Sequence, residues 1–510
     1  MLKHIALVVA LASCGVDAST DLAELTSSTV VNVHNFQVAD GVHPRDSMVV
    51  GPDGAFYGTH WLGGAAGCNG GTVFRFDPAV RAYSVLHEFS CLDQSGRNSD
   101  GYRSVAPVSF GPDGRLYLTT QAGGTGGNPN RPAVGVLASM RPDGSDYRVE
   151  HMFGTVIGPH GGYADGVSPF GGLVWSGSVA YGTVSDGIYR WDGTTATVIY
   201  TFSALVRTTL PDGTTTRTNY DGAGCYGSPT MGADGLLYGY TLFGGAWGRG
   251  TVFALDPNLD PVTHLAHLTK LYDVPEYTFT GNTDNTPGGT SILASDGAMY
   301  LATAYGGARG TGMILRVAPN HTVSVIHEFD TYPYGPGGAL PLGTLAEGAD
   351  GLLYGTTFYG GNMGGQGTVY RISKDGSQFD VLWAFGPNAH DGTKPGCFNI
   401  SGPTWAPDGH LYGLDGLCGT IGGGALWRLD TVSLGAVPIP DVRGDNLTTA
   451  GQVLVAAGLI VGQVANVIDR TCNNIGTVSR ENPSPGTSVQ AGSAVNLSIG
   501  QRPPPPFQCP

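Results

Sequence analysis

Residues 350–357 read Asp350-Gly351-Leu352-Leu353-Tyr354-Gly355-Thr356-Thr357, followed by Gly360-Gly361, by Gly367-Thr368-Val369-Tyr370-Arg371-Ile372 and by Val381-Leu382-Trp383-Ala384-Phe385. Asp-Gly between short apolar runs signals a hairpin, because the turn needs a positive φ that glycine adopts without strain. Tyr354 is one of a series: Tyr57, Tyr117, Tyr181, Tyr238, Tyr300, Tyr354 and Tyr412 succeed one another at 60, 64, 57, 62, 54 and 58 residues. A self-similar period of this length is read before any other feature, because it fixes the architecture.

Each copy carries four short strand-like runs. Strand a is a run such as Pro107–Phe110, strand b one such as Leu116–Thr119, strand c one such as Gly71–Phe76, and strand d one such as Val85–Phe89 or Val325–Phe329. Six copies have Asp-Gly at the a–b turn, and the third has Ser176-Gly177. Four antiparallel strands in seven copies predict an all-β fold, a seven-bladed β-propeller in which each sheet buries both faces against its neighbours. The seventh copy lacks the d pattern after Leu429, and Val31-Asn32-Val33-His34-Asn35-Phe36 supplies it at the other end. An N-terminal strand is therefore expected to complete the last blade and remove an exposed edge.

Composition agrees. Glycine accounts for 83 of 510 residues, consistent with many tight turns, and helical periodicity is absent before about residue 446. Net charge is −15 with no run of basic residues, which argues against nucleic acid and against direct attachment to an anionic membrane. Lys3 and His4 precede the apolar run Ile5–Ala10, the pattern of an export signal. Leu11-Ala12-Ser13-Cys14 resembles a bacterial lipobox, with Cys14 the lipidated residue; cleavage after Ala18 is the alternative. Membrane association is expected only through such an anchor. Export into an oxidising compartment lets the cysteines form disulfides, and their order suggests Cys68–Cys91, Cys397–Cys418 and Cys472–Cys509, leaving Cys225 over.

The Leu-Tyr-Gly-Thr-Thr, Gly-Gly and Gly-Thr-Val-Phe/Tyr-Arg motifs resemble the Gloeo-Verruco (GloVer) repeat, over roughly residues 30–430. The resemblance implies a propeller fold and an exported protein, and carries no activity. Beyond Val437 the composition changes. Pro440-Asp441-Val442 with Gly444, Ala457-Gly458-Leu459, Gly476-Thr477-Val478, Pro483-Ser484-Pro485-Gly486-Thr487 and Gly492-Ser493 resemble a PASTA domain, which implies a small α+β module with a possible peptidoglycan contact or a spacer role. Its helix is expected near residues 448–457, with Thr448 as cap and Gly458 as stop. The expected organisation is a signal at 1–13 (alternatively 1–18), a linker at 14–29, the propeller at 30–430, the PASTA-like domain at 437–500 and a proline-rich tail at 501–510.

The d–a and b–c connections lie at one end of the blades and form the richer face. Asp100, Asp165, Asp221 and Asp391 recur there, each before glycine, together with His160 and the aromatic residues Trp61, Trp247, Tyr305 and Tyr359. Carboxylates bind hydroxyls and aromatic faces pack on sugar rings, so these residues are the candidate ligand face; a motif repeated in each blade equally suits a structural tie. Arg75, Arg190, Arg316, Arg371 and Arg428 recur on strand c and are expected to pair between blades. No nucleophile elbow, zinc-protease helix, phosphate loop or calcium loop is present, so no catalytic residue, metal or cofactor is assigned. The sequence points to an exported cell-envelope binding or scaffold protein, with a glycan, peptidoglycan or an envelope protein as partner. A polysaccharide-active enzyme of lyase type is the alternative.

Overall fold

The structure is a computed structural model that describes residues 28–128, 131–132, 134–157, 163–210, 213, 215–275, 290–329, 335–361, 365–386, 401–417, 419–430, 436–457, 459–490 and 494–503. The export signal, Cys14, the Cys397–Cys418 pair, Cys509, Asp391, His160 and Gly458 lie outside the described residues.

The architecture is all-β and propeller-like, with a single helix among the described residues. The quoted stretch forms one antiparallel sheet in the order Ala346–Glu347, Leu353–Thr357, Thr368–Ile372 and Phe379–Ala384. Six further sheets repeat this meander, around Phe56–Leu62, Leu116–Thr120, Val179–Val184, Leu237–Tyr240, Met299–Thr303 and Leu411–Asp415. In the last of these, Thr29–Asn35 is the fourth strand and pairs antiparallel with Ala425–Asp430, Val31 opposite Arg428.

Both faces of the middle strands are apolar, and hydrophobic clusters join each sheet to the next. Tyr354, Val369 and Phe385 of the sixth sheet pack with Leu411, Trp427 and Leu429 of the seventh. Phe36, Tyr412 and Leu426 of the seventh pack with Phe56, Phe74 and Phe76 of the first. His34 also stacks on Tyr83 of the first sheet at 4.3 Å between ring centroids.

The repeated Asp and Tyr have a shared purpose at the a–b turns. Tyr57, Tyr117, Tyr238, Tyr300, Tyr354 and Tyr412 each donate to the aspartate four residues earlier, at 2.6–3.0 Å. The third copy has no such aspartate, and the Tyr181 hydroxyl has no hydrogen-bond partner among the described residues. The arginine series corrects the expectation of pairing between blades. Arg75 meets Asp53 at 2.8 Å, Arg316 meets Asp296 at 3.3 Å and Arg371 meets Asp380 at 2.9 Å, each within its own sheet. The cause is register: Tyr57 lies opposite Arg75, and Tyr300 opposite Arg316, so the guanidinium reaches the carboxylate that the tyrosine already holds.

Residues 436–503 form a separate apolar cluster of Ile439, Val442, Ala450, Leu454, Leu459, Val478, Val495 and Leu497. The helix Leu447–Ala456 packs beside a sheet in which Ala494–Gln501 runs parallel to Ile460–Ile468 and antiparallel to Val478–Asn482. Its cap is Asn446, whose Oδ1 accepts from the Thr449 amide at 2.9 Å, rather than Thr448. Among the described residues no helix is long and apolar enough to cross a membrane.

Candidate functional site

The d–a and b–c connections meet at one end of the sheets. Arg103 and Leu340 of two d–a loops donate their amides to Gly70 O and Thr311 O of b–c loops, both at 2.8 Å. Ala223 pairs with Phe243, and Ala339 with Tyr359, across the same junction.

Each recurrent aspartate closes its own loop. Asp165, fully buried, accepts from His151 Nε2 at 3.2 Å, from the Thr155 amide and hydroxyl at 2.9 Å each, and from the Val156 amide at 3.3 Å. Burial pushes its carboxyl up, but the bonds from His151 and Thr155 outweigh that and hold it below the ordinary range. Asp100 accepts from His87 and from the amide and hydroxyl of Ser90. Asp221 accepts from the Tyr200 hydroxyl at 2.7 Å and the Ser203 amide at 2.9 Å. The following glycine is compulsory at Gly222: its φ is +92°, and a Cβ there would stand 2.0 Å from the Thr241 hydroxyl. Asp100, Asp165 and Asp221 are thus engaged as loop anchors. The d-strand histidine is part of the same device, with His87 stacked on Tyr147 at 3.8 Å and the Tyr147 hydroxyl bonded to the Asp100 carbonyl at 2.6 Å.

The aromatic candidates divide. Trp61 is the penultimate residue of the strand Phe56–Leu62 and is half-buried, with the guanidinium of Arg45 4.2 Å and that of Arg103 4.9 Å from its ring. It is therefore a packed residue, not the loop-tip ring the sequence suggested. Tyr305 and Tyr359 are half-buried, and Tyr359 lies edge-on to Phe358 at 4.6 Å. Trp247 and Phe243 stand out further, 36% and 40% exposed. Cys68 and Cys91 form a disulfide, and the Tyr102 hydroxyl bonds to the Cys68 carbonyl at 3.1 Å. Cys472 is also disulfide-bonded, to a sulfur outside the described residues. Cys225 is free and buried, and desolvation pushes its thiol up to about 12.

Two features were missed by the sequence reading. Asp46, between the first two short strands, has its carboxyl pushed up to about 7 by burial, against the lowering effect of the Ser47 amide. It lies within electrostatic range of Tyr240, as does Tyr305. The second is a hairpin, Val206–Thr209 with Thr215–Thr218, inserted between the third and fourth sheets. With the Phe243–Arg249 loop it encloses a cleft of about 680 Å³ lined by Arg207, Thr216, Arg217, Phe243, Gly248 and Arg249 among others. The three arginines are scattered in sequence and gathered by the fold. Among the described residues no three His, Cys, Asp or Glu side chains gather as metal ligands.

Solved structures similar to this chain are distant. The extracellular domain of a hybrid two-component system from B. thetaiotaomicron is 10% identical with a TM-score of 0.42, over 81% of this chain and 41% of that one. A GH74 enzyme from Niastella koreensis is 14% identical with a TM-score of 0.44, over 80% and 57%. An oligogalacturonate lyase from Vibrio parahaemolyticus is 12% identical with a TM-score of 0.45, over 79% and 93%. This chain therefore spans less than half the length of the first of these. The Gloeobacter/Verrucomicrobia repeat matches residues 20–196 and 271–479, passing the composition break at 437 and leaving out the stretch that holds the inserted hairpin. With three quarters of its length matched, the chain belongs to the Gloeobacter/Verrucomicrobia repeat family.

Proposed function

We propose that this is an exported cell-envelope binding or scaffold protein. In this reading the seven sheets are the blades of a closed seven-bladed propeller, and the strand Thr29–Asn35 closes the ring. The packing of Phe36 and Tyr412 against Phe56 and Phe74 supports closure. The d–a and b–c end binds a glycan or a protein partner, and residues 437–500 act as a PASTA-like module on peptidoglycan. The Cys68–Cys91 bond favours an oxidising compartment, with a lipid anchor at Cys14 as the means of retention.

One observation carries the binding role. At the loop end the recurrent carboxylates are engaged internally, while the side chains left exposed, Phe243 and Trp247, are particular to one blade. Chemistry repeated between copies builds a platform there, and chemistry particular to one copy is presented on it. The test is a panel of neutral glycans, acidic glycans and muropeptides titrated against the exported protein and its Phe243→Ala/Trp247→Ala/Tyr359→Ala variant. A ligand whose affinity falls about tenfold or more in the variant is expected, from roughly 0.5–1.5 kcal/mol per aromatic contact. Equal affinity for each ligand overturns the reading. The lyase alternative is favoured by Asp46, whose raised carboxyl titrates where a general acid or base works best. Scoring the same panel for chain cleavage separates the two.

A further inference from the structure

On a chain of net charge −15, with 25 Lys and Arg in all, three arginines share one cleft. The register of the inserted hairpin sets Arg207 directly opposite Arg217. Such partners have Cβ atoms about 4.5–5.5 Å apart, where like charges repel. Both are exposed, and neither side chain forms an ion pair or hydrogen bond among the described residues. The hairpin is seated rather than free. A Cβ at Gly248 would stand 2.2 Å from the Thr216 hydroxyl and 2.9 Å from the Arg217 carbonyl, so only glycine lets the hairpin lie this close. The cleft beside this contact is lined by the arginine pair together with Phe243 and the half-buried Arg249.

The cleft is lined by three arginines, of which Arg207 and Arg217 are exposed, by two threonines and by one exposed aromatic ring, and among the described residues no carboxylate lines it. Its volume of about 680 Å³ falls in the usual range for ligand sites. A repelling pair held in place is complemented by an anion, and the guanidinium fork fits a carboxylate in two parallel hydrogen bonds. The hydroxyl of Thr215, two residues from Arg217 and so on the same face, and the Phe243 ring add partners for sugar hydroxyls and for a ring face. An acidic peptide presents its carboxylates on flexible side chains that lose rotamer freedom when ordered, whereas a uronate carries its carboxylate on the ring. We propose that this cleft binds a carboxylate-bearing glycan, with Arg207 and Arg217 holding a uronate. The hairpin falls in the stretch that the family repeat does not match, so the site belongs to this chain and not to the repeat. The proposal rests on the reading of the loop end as a glycan-binding surface and names the class of glycan.

The experiment titrates the full chain with β-1,4-linked tetraglucuronate, with cellotetraose, which has the same backbone without carboxylates, and with pentaglutamate. The variants are Arg207→Gln/Arg217→Gln and Arg207→Lys/Arg217→Lys, with thermal unfolding as the control for folding. Tetraglucuronate is expected to bind at least tenfold tighter than cellotetraose or pentaglutamate. The double glutamine variant should lose that margin, and the double lysine variant should keep only part of it, having charge without the fork. Equal binding of tetraglucuronate to the protein and to the double glutamine variant overturns the site. So does pentaglutamate binding as tightly as tetraglucuronate. If cellotetraose and tetraglucuronate bind equally in all forms, the uronate site fails while the glycan-binding face stands; if neither binds, both fail.

Discussion

The two ends of the sheets use the same residue for different tasks. At the a–b turns Asp53, Asp234 and Asp350 take the hydroxyl of a tyrosine four residues on, a contact within one sheet that six copies repeat. At the opposite end Asp100, Asp165 and Asp221 tie a d strand to the connection that leaves it, and the loops around them differ between copies. Repetition at both ends marks support. What distinguishes the loop end is that its supports hold insertions, of which the Val206–Thr218 hairpin is the largest among the described residues.

The strongest way to break this comparison is to open the array itself, since both ends depend on it. Deleting residues 28–36 removes the strand opposite Ala425–Asp430, the buried Val30 and Phe36, and the His34 stack on Tyr83. Exposing two large apolar side chains alone costs roughly 1.5–3 kcal/mol each, before the lost strand pairing is counted. The unfolding midpoint should therefore collapse, or the protein should fail to accumulate. Unchanged thermal unfolding rules out the clasp between the seventh and first sheets.

The next effect separates the ends. Asp165→Ala removes the buried carboxylate that ties His151 and the Thr155 and Val156 amides together, at a cost of about 1.5–3 kcal/mol in denaturant titrations at neutral pH. Because the folded carboxyl lies below its ordinary value of 3.8, its contribution is present above that pH and is lost as the pH falls through the lower folded value. The gap between variant and parent should accordingly narrow below about pH 4. A gap that stays constant there assigns the cost to packing instead of the carboxylate.

How much of this was legible in the sequence follows from the range of the interactions. The strands around Tyr354 and Tyr117 were readable because alternation and Asp-Gly turns are local signals, and the structure places them at Leu353–Thr357 and Leu116–Thr120. The arginine pairing was misread because it depends on which residue lies opposite, as Arg75 does to Tyr57. Trp61 looked exposed because nothing local announces that Arg45 and Arg103, 16 and 42 residues away, converge on its ring. The cleft was missed for the same reason, although one signal existed. Val206-Arg207-Thr208-Thr209 and Thr215-Thr216-Arg217-Thr218 nearly mirror each other about Pro211-Asp212-Gly213, which reads as a hairpin with arginines face to face.

The smallest effect sharpens the comparison at the turn end, where the copies differ by one residue. Tyr354 donates to Asp350 at 2.6 Å, while Tyr181, in the equivalent strand of the third sheet, has Gly177 four residues before it and no carboxylate to meet. Tyr354→Phe removes a hydroxyl and leaves a partly buried carboxylate oxygen short of a donor, which costs about 1 kcal/mol. Tyr181→Phe removes a hydroxyl that bonds to nothing among the described residues, so its cost should be near zero. Both rings remain packed between sheets in either variant, so the difference in unfolding free energy isolates the Asp–Tyr bond from the ring that carries it. Equal costs would mean that the tyrosine recurs for its ring alone, and that the aspartate serves only the turn, through the bond its Oδ1 accepts from the Leu352 amide.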